Sequence, residues 1–313
     1  MERRLFPWAA LIAIVVLPHV VADRYFMSVI IVCGIYALFA VSLDLIVGFL
    51  GVYSFGHAAF LGLGAYTSGI LITRYDVSFW LTMPLAAAIA GGVGFLFALP
   101  AWRTRGIFFA ITTLALAEIV QLVIINVPDV TRGSMGLSIP RPEIPKGFVV
   151  DDNGVFFYVT YGLLFLATLA ILRFMTSPAG RGLVAIRENE DLAASIGIPV
   201  QSITTIVFVA SAGLAGLAGS IYGGYIGIAS PDLMSVNYSA LALLMVIVGG
   251  RGTVFGAIMG AFIFSVVTEI FRVADEWRMI AFSLLLIVSM IAMPRGIVAP
   301  LLALLDGSAG RRK

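Results

Sequence analysis

LVAIRENEDLAASIG, residues 183–197, sets a row of charge inside an otherwise apolar chain. Arg187, Glu188, Asn189, Glu190 and Asp191 are consecutive, whereas the 313 residues as a whole are 61% hydrophobic and only 12% charged, with a mean hydropathy of +1.07. Soluble domains hold about 45–50% apolar and about 25% charged residues, so lipid is the solvent for most of this chain. The contrast decides the fold: the runs on either side of 183–197 cross a membrane, and the segment itself stays at the surface.

A crossing helix needs about 20 mostly apolar residues. Ten windows meet or approach that length, at 7–22, 26–48, 52–73, 79–101, 106–127, 155–175, 200–225, 237–249, 254–271 and 278–294. None alternates polar with apolar as a barrel strand does, so helices are expected to satisfy the backbone in lipid. The expectation is an all-α polytopic membrane protein, a single transmembrane domain over 1–313 with about ten transmembrane helices.

Lys and Arg collect on the cytoplasmic side of membrane proteins. With ten spans and both termini cytoplasmic, 12 of them fall inside and 7 outside, and three of the seven lie in one long outer loop. This arrangement puts 183–197 in the cytoplasm. MERR, an apolar run and Val20-Val21-Ala22 have the outline of a cleavable signal peptide, although a retained first helix is preferred. Cys33 is the only cysteine, so no intrachain disulfide forms. The net charge of +2 gives no reason to expect nucleic acid as a partner.

The charged segment has explicit ends over residues 177–199. Ser177-Pro178 supplies a capping hydroxyl and a first-turn proline, and Gly197 with Pro199 supplies a stop. Leu183, Ile186, Ala193 and Ile196 fall near one face, so one or two short amphipathic helices are expected at the cytoplasmic surface. A helix lying on lipid headgroups favours Lys and Arg on its polar face, but residues 187–191 are net acidic. A protein partner fits better than lipid, with a solvated connector as the plain alternative.

Elsewhere, Gly219, Gly223 and Gly227, and again Gly252, Gly256 and Gly260, recur every fourth residue, which predicts close helix packing. Ile46-Val47-Gly48, Gly51 and Phe55-Gly56 echo Ile247-Val248-Gly249, Gly252 and Phe255-Gly256. In a chain with 33 glycines so short a match carries no weight. The one long hydrophilic connection, 128–154, has prolines at 128, 140, 142 and 145. It is expected on the outer face, either as a structured lid or docking surface or as a solvated loop.

The chain has no engine of its own. A phosphate-binding loop needs a lysine directly after glycine, and here Lys146 follows Pro145 and Lys313 follows Arg312. With one cysteine, two histidines and no Gly-x-Ser-x-Gly or His-Glu-x-x-His pattern, the residues give no support for catalysis or for a metal. ATP-driven work would fall to another chain.

GLVAIRENEDLAASIGI, 182–198, resembles the cytoplasmic coupling loop of permease subunits in ATP-binding-cassette importers, with Glu190, Ala193, Ala194 and Gly197 at the matching positions. The run Arg187-Glu188-Asn189-Glu190 is similar to the branched-chain amino acid branch. YSFGHAAFLGLGAY (53–66), GIFFAITTLALAEI (106–119) with GLSIP (136–140), and MVIVGGRGTVFGAIMGA (245–261) extend the resemblance in order across most of the chain. The resemblance implies a non-catalytic permease in a bacterial cytoplasmic membrane, paired with a second permease, two ATPases and an extracytoplasmic solute-binding protein. ATP and Mg would be used by the ATPases, with no cofactor in this chain. It further implies that Arg187, Glu188, Glu190, Asp191, Ala193, Ala194 and Gly197 couple to those ATPases. Family substrates also include aromatic acids, urea and short amides, which stay open as alternatives.

Ionisable and polar groups inside spans are functional candidates by default. Here they are Asp44, Ser54, His57, Thr112, Thr113 and Glu118. Asp44 is expected near the cytoplasmic interface, snorkelling or capping. His57, among small residues, is expected to bridge helices or to line a pathway. Thr112, Thr113, Glu118 and Gln121 are expected to make one polar membrane face. The rival class is a secondary transporter acting alone, for which Asp44 and Glu118 would supply the coupling charges.

Overall fold

The fold is that of a computed structural model, described for residues 23–104, 106–142 and 152–270. Asp23 caps the first helix, α1 (Arg24–Asp44), by accepting the Tyr25 N–H at 2.9 Å. It runs directly into a six-residue π-helical turn, Leu45–Leu50, closed by Gly51 at φ 85°. There follow α2 (Ala58–Tyr75), α3 (Phe79–Ala101), α4 (Ile107–Ile125) and α5 (Asp152–Thr176). After these come α6 (Pro178–Glu188), α7 (Glu190–Ser195), α8 (Val200–Ile226), α9 (Val236–Gly249) and α10 (Val254–Ile270).

Eight of the ten expected spans thus find a helix in place. The windows at 7–22 and 278–294 lie outside the described residues. Among the described residues five helices are long and apolar enough to cross a membrane, and α9 with α10, bent by 117° at the break between them, makes a sixth if the pair is one span. The clearest displacement is the start of α2. Residues 51–57, expected to open a span, form an irregular link, because Gly51 turns the chain left-handed and Gly56 lies against the Thr113 carbonyl.

α8 is the centre of the bundle and packs against α1, α2 and α3. Small residues set its distances. Gly64 of α2 sits on the Gly216 backbone, Gly219 lies against Leu61 and Ala65, and Gly94 of α3 faces Ala212. Where a membrane gives helices no hydrophobic drive to associate, such close backbone approach is what dispersion requires. The second stripe closes α9 on α10, with Gly256 and Gly260 against Gly249, Gly250 and Met245. Two glycines of each stripe therefore pack the bundle as the spacing predicts, whereas Gly227 and Gly252, at φ 85° and 75°, lie in the turns beyond α8 and before α10.

The start of the hydrophilic connection is ordered rather than merely solvated. Leu137–Ser138 pairs antiparallel with Ile228–Ala229 just past α8, and Ile139 N–H reaches the Gly227 carbonyl at 2.8 Å. Leu137 and Ile139 are buried with Ala65, Tyr66, Leu233 and Met234, a small second core at the end of the bundle opposite α6.

Candidate functional site

The charged segment folds as the capping signals require. Ser177 Oγ accepts the Gly180 N–H, and Pro178 opens α6. Asn189 then breaks the helix with extended backbone and recaps it, its Oδ1 accepting the Leu192 N–H at 3.0 Å, so that Glu190 and Asp191 occupy the first turn of α7. At the end, Gly197 at φ 86° donates to the Ala194 carbonyl and Ile198 to that of Ala193, which closes α7 by a Schellman motif. Leu183, Ile186 and Ala193 are buried as expected. Ile196 is not: it is 69% exposed, beside Leu192 at 61%. The break at Asn189 resets the helical phase, so periodicity counted through residues 183–197 assigns Ile196 to the wrong face.

Arg187 turns inward from this surface pair. Its Nη1 donates to the Gly48 carbonyl at 3.1 Å and its Nη2 pairs with Glu188 Oε1 at 3.0 Å. Gly48 lies in the π-helical turn, where a Cβ would collide with Asp44 Oδ1 and the Gly252 backbone. Asp44, fully buried, accepts the Gly252 N–H through Oδ1 at 2.8 Å. Across the same junction Arg251 Nη1 donates to the Tyr53 hydroxyl at 2.6 Å. Asp44 therefore neither snorkels nor caps its own helix: it satisfies the loop between α9 and α10. The two segments whose sequences echo each other, around Gly48 and Gly252, are the ones that meet. Sequence reasoning gave no role at this junction to Gly48, Tyr53, Arg251, Gly252 or Leu192, and the echo was the available signal for Gly48 and Gly252 alone.

A second polar cluster lies deeper, around the 51–57 link. His57 is fully buried, stacked on Phe39 and edge-on to Phe60, with Nε2 2.8 Å from Ser42 Oγ. Ser42 Oγ lies 2.6 Å from the Phe39 carbonyl oxygen as well, so the hydroxyl bridges the helix backbone and the imidazole. Ser211 of α8 donates to the Ser42 carbonyl, so α1, α2 and α8 are joined here. Phe55 N–H reaches Thr113 Oγ1 at 3.2 Å and Ala58 N–H reaches Ser239 Oγ at 3.0 Å, while buried Ser54 Oγ has no partner among the described residues.

The expected polar face on α4 does not form. Thr113 points into the cluster, Thr112 bonds back to the Phe108 carbonyl, and Gln121 reaches the Pro231 carbonyl at 3.1 Å. Glu118 is exposed on yet another side. Four residues at 112, 113, 118 and 121 share no face at 3.6 residues per turn. A carboxylate at the centre of a crossing helix costs about 2.5–3.5 kcal/mol on insertion scales, so Glu118 is the least explained group on these helices.

Apolar crossing helices, broken at glycine loops and tied to a capped surface pair, define a multi-pass membrane protein of the transporter type. The chain belongs to the family described as branched-chain amino acid transport system / permease component, whose model matches residues 25–293. It is 31% identical, over 98% of its own length and 78% of the relative's, to the high-affinity branched-chain amino acid transport system permease protein LivM of Escherichia coli (strain K12). It is 26% identical to the corresponding LivH of Salmonella typhimurium over 84% of this chain and 91% of that one. A probable LivM of Methanocaldococcus jannaschii is 24% identical over 75% of this chain and 77% of the relative. No solved structure matches.

Proposed function

We propose that this chain is the LivM-type permease subunit of an ATP-binding-cassette importer that moves branched-chain or closely related amino acids across a bacterial cytoplasmic membrane. It spans about ten times with both termini in the cytoplasm. It works with a second permease of LivH type, two ATPases that use ATP and Mg, and an extracytoplasmic solute-binding protein.

The observation that carries the reading is the link from Arg187 on α6 to Gly48 in the broken end of α1. The pair α6–α7 is the element on which the ATPases act, with Glu188, Glu190, Asp191 and the apolar tip of Leu192 and Ile196 facing them. Ala193 and Ala194 give the thin shaft of α7, and Gly197 ends it. A displacement of α6 pulls on Gly48 through Arg187, and through Gly48 on the Gly252 loop that Asp44 holds. A rigid connection of this kind turns closure of the ATPases into rearrangement of the crossing helices.

The test is gentle purification of the assembly from its native membrane, repeated with Glu190 and Asp191 both changed to Lys. ATPase chains should accompany the parent and be lost from the variant. A parent chain isolated alone that still carries leucine into ATP-free vesicles would falsify the importer reading.

A further inference from the structure

Glu118 stands apart from the other polar groups of the crossing helices. It is the only ionisable residue between Gly106 and Asn126, close to the middle of the 19-residue α4. It is exposed and has no hydrogen bond or ion pair among the described residues. α4 is also the least covered of the five crossing helices, with 22% of its window buried. At helical spacing, Ile111, Ala115 and Leu122 lie on its side of the helix, and Ile107 and Phe108 extend the strip, all of them exposed.

We infer that this strip lines the solute's path and that the Glu118 carboxylate receives the ammonium group of a solute whose remainder is apolar. The inference rests on the permease reading and narrows its substrate class. Lipid gives a mid-membrane carboxylate neither a cation nor a donor, and no group on the strip does so either. An ammonium next to a branched hydrocarbon complements both parts of the strip: the charge meets Glu118, and the hydrocarbon meets Ile111 and Leu122 across the gap that Ala115 leaves. An anionic acid lacking an ammonium is repelled by the same carboxylate, and urea or a short amide offers neither part. Among the solutes open to the family, zwitterionic amino acids are the class that fits.

The experiment uses the complete assembly with its binding protein in proteoliposomes, with leucine as the probe. Glu118→Gln should lower leucine taken up per ATP hydrolysed by about tenfold, the scale of one charge-assisted hydrogen bond, and Glu118→Asp should recover part of it. In parallel, Glu118→Cys in the assembled complex should react with a trimethylammonium methanethiosulfonate, a charged reagent that reaches only water-accessible thiols, while the parent with its buried Cys33 should not. Unchanged coupling in Glu118→Gln overturns the inference. So does a correctly assembled Glu118→Cys complex that hydrolyses ATP but resists the reagent, which would assign the strip to a dry seam between the permeases. Failure of the underlying reading is distinguishable, because it appears in the parent complex as absence of ATP-dependent leucine uptake.

Discussion

Arg187 Nη1 lies 3.1 Å from the carbonyl oxygen of Gly48, across a separation of 139 residues. One end of this bond belongs to a surface helix and the other to the broken end of a crossing helix, so it ties the two together directly. Lysine in place of arginine keeps the charge but loses the planar fork that also holds Glu188. Arg187→Ala is expected to retain ATP hydrolysis in the reconstituted complex and to lose about tenfold of uptake, the scale of one charged hydrogen bond, with Arg187→Lys between the two. The ratio of leucine transported to ATP consumed reads the result, and a parental ratio in Arg187→Ala would remove the bond from the coupling route.

Asp44 presents a sharper chemical contrast. Asparagine keeps a carbonyl oxygen where Oδ1 receives the Gly252 N–H, whereas alanine leaves that donor without its acceptor. Asp44→Ala should cost about 1–3 kcal/mol, the range for an unsatisfied buried group, while Asp44→Asn stays close to the parent. Thermal unfolding of the detergent-solubilised complex distinguishes them, and equal losses would show that the side-chain charge, not the acceptor, is what matters.

Gly48 admits no side chain. A methyl group there meets the Gly252 backbone and Asp44 Oδ1, a side-chain atom that the Gly252 N–H holds in place. Overpacking typically costs about 1–3 kcal/mol, and Gly48→Ala should lie at or above the top of that range. Gly92, whose added Cβ would meet nothing, is the control and should accept alanine at no loss of assembled complex on size exclusion.

Leu192 and Ile196 are large, apolar and exposed at the tip of α7. Burying such a side chain is worth about 1.5–3 kcal/mol, so changing both to Ser should weaken association with the ATPases by at least about tenfold while the permease remains folded. Titration of purified ATPase onto the permease in nanodiscs measures this. Unchanged affinity would place the docking contact elsewhere on the segment.

Much of this architecture was legible in the sequence because its causes are local. Ser177, Pro178 and Gly197 carry their conformational preferences with them, and uninterrupted apolar runs admit only helix in lipid. The meeting of Gly48 with Gly252 has no local cause: Gly252 is required locally by its φ of 75°, but at Gly48 only the tertiary approach makes the missing Cβ necessary. The separation of Glu118 from Thr113 and the break at Asn189 are local by contrast: the first follows from 3.6 residues per turn and the second from the Asn189 side chain that caps α7. Periodicity fixes which residues share a helix face, but only when the helix is unbroken, and it does not say which face the rest of the chain covers.

The hairpin of α9 and α10 closes over Gly252, whose N–H is held by a carboxylate 208 residues earlier in the chain. At about 5–20 residues per second of synthesis, roughly 10–40 s separate the appearance of the two groups. During that interval α1 is already in the bilayer with Asp44 and the Gly48 notch unfilled. A glycine loop made late in synthesis thus completes α1, the first of the described helices. Truncation before residue 252 leaves the Asp44 carboxyl without the N–H that it accepts in the folded chain.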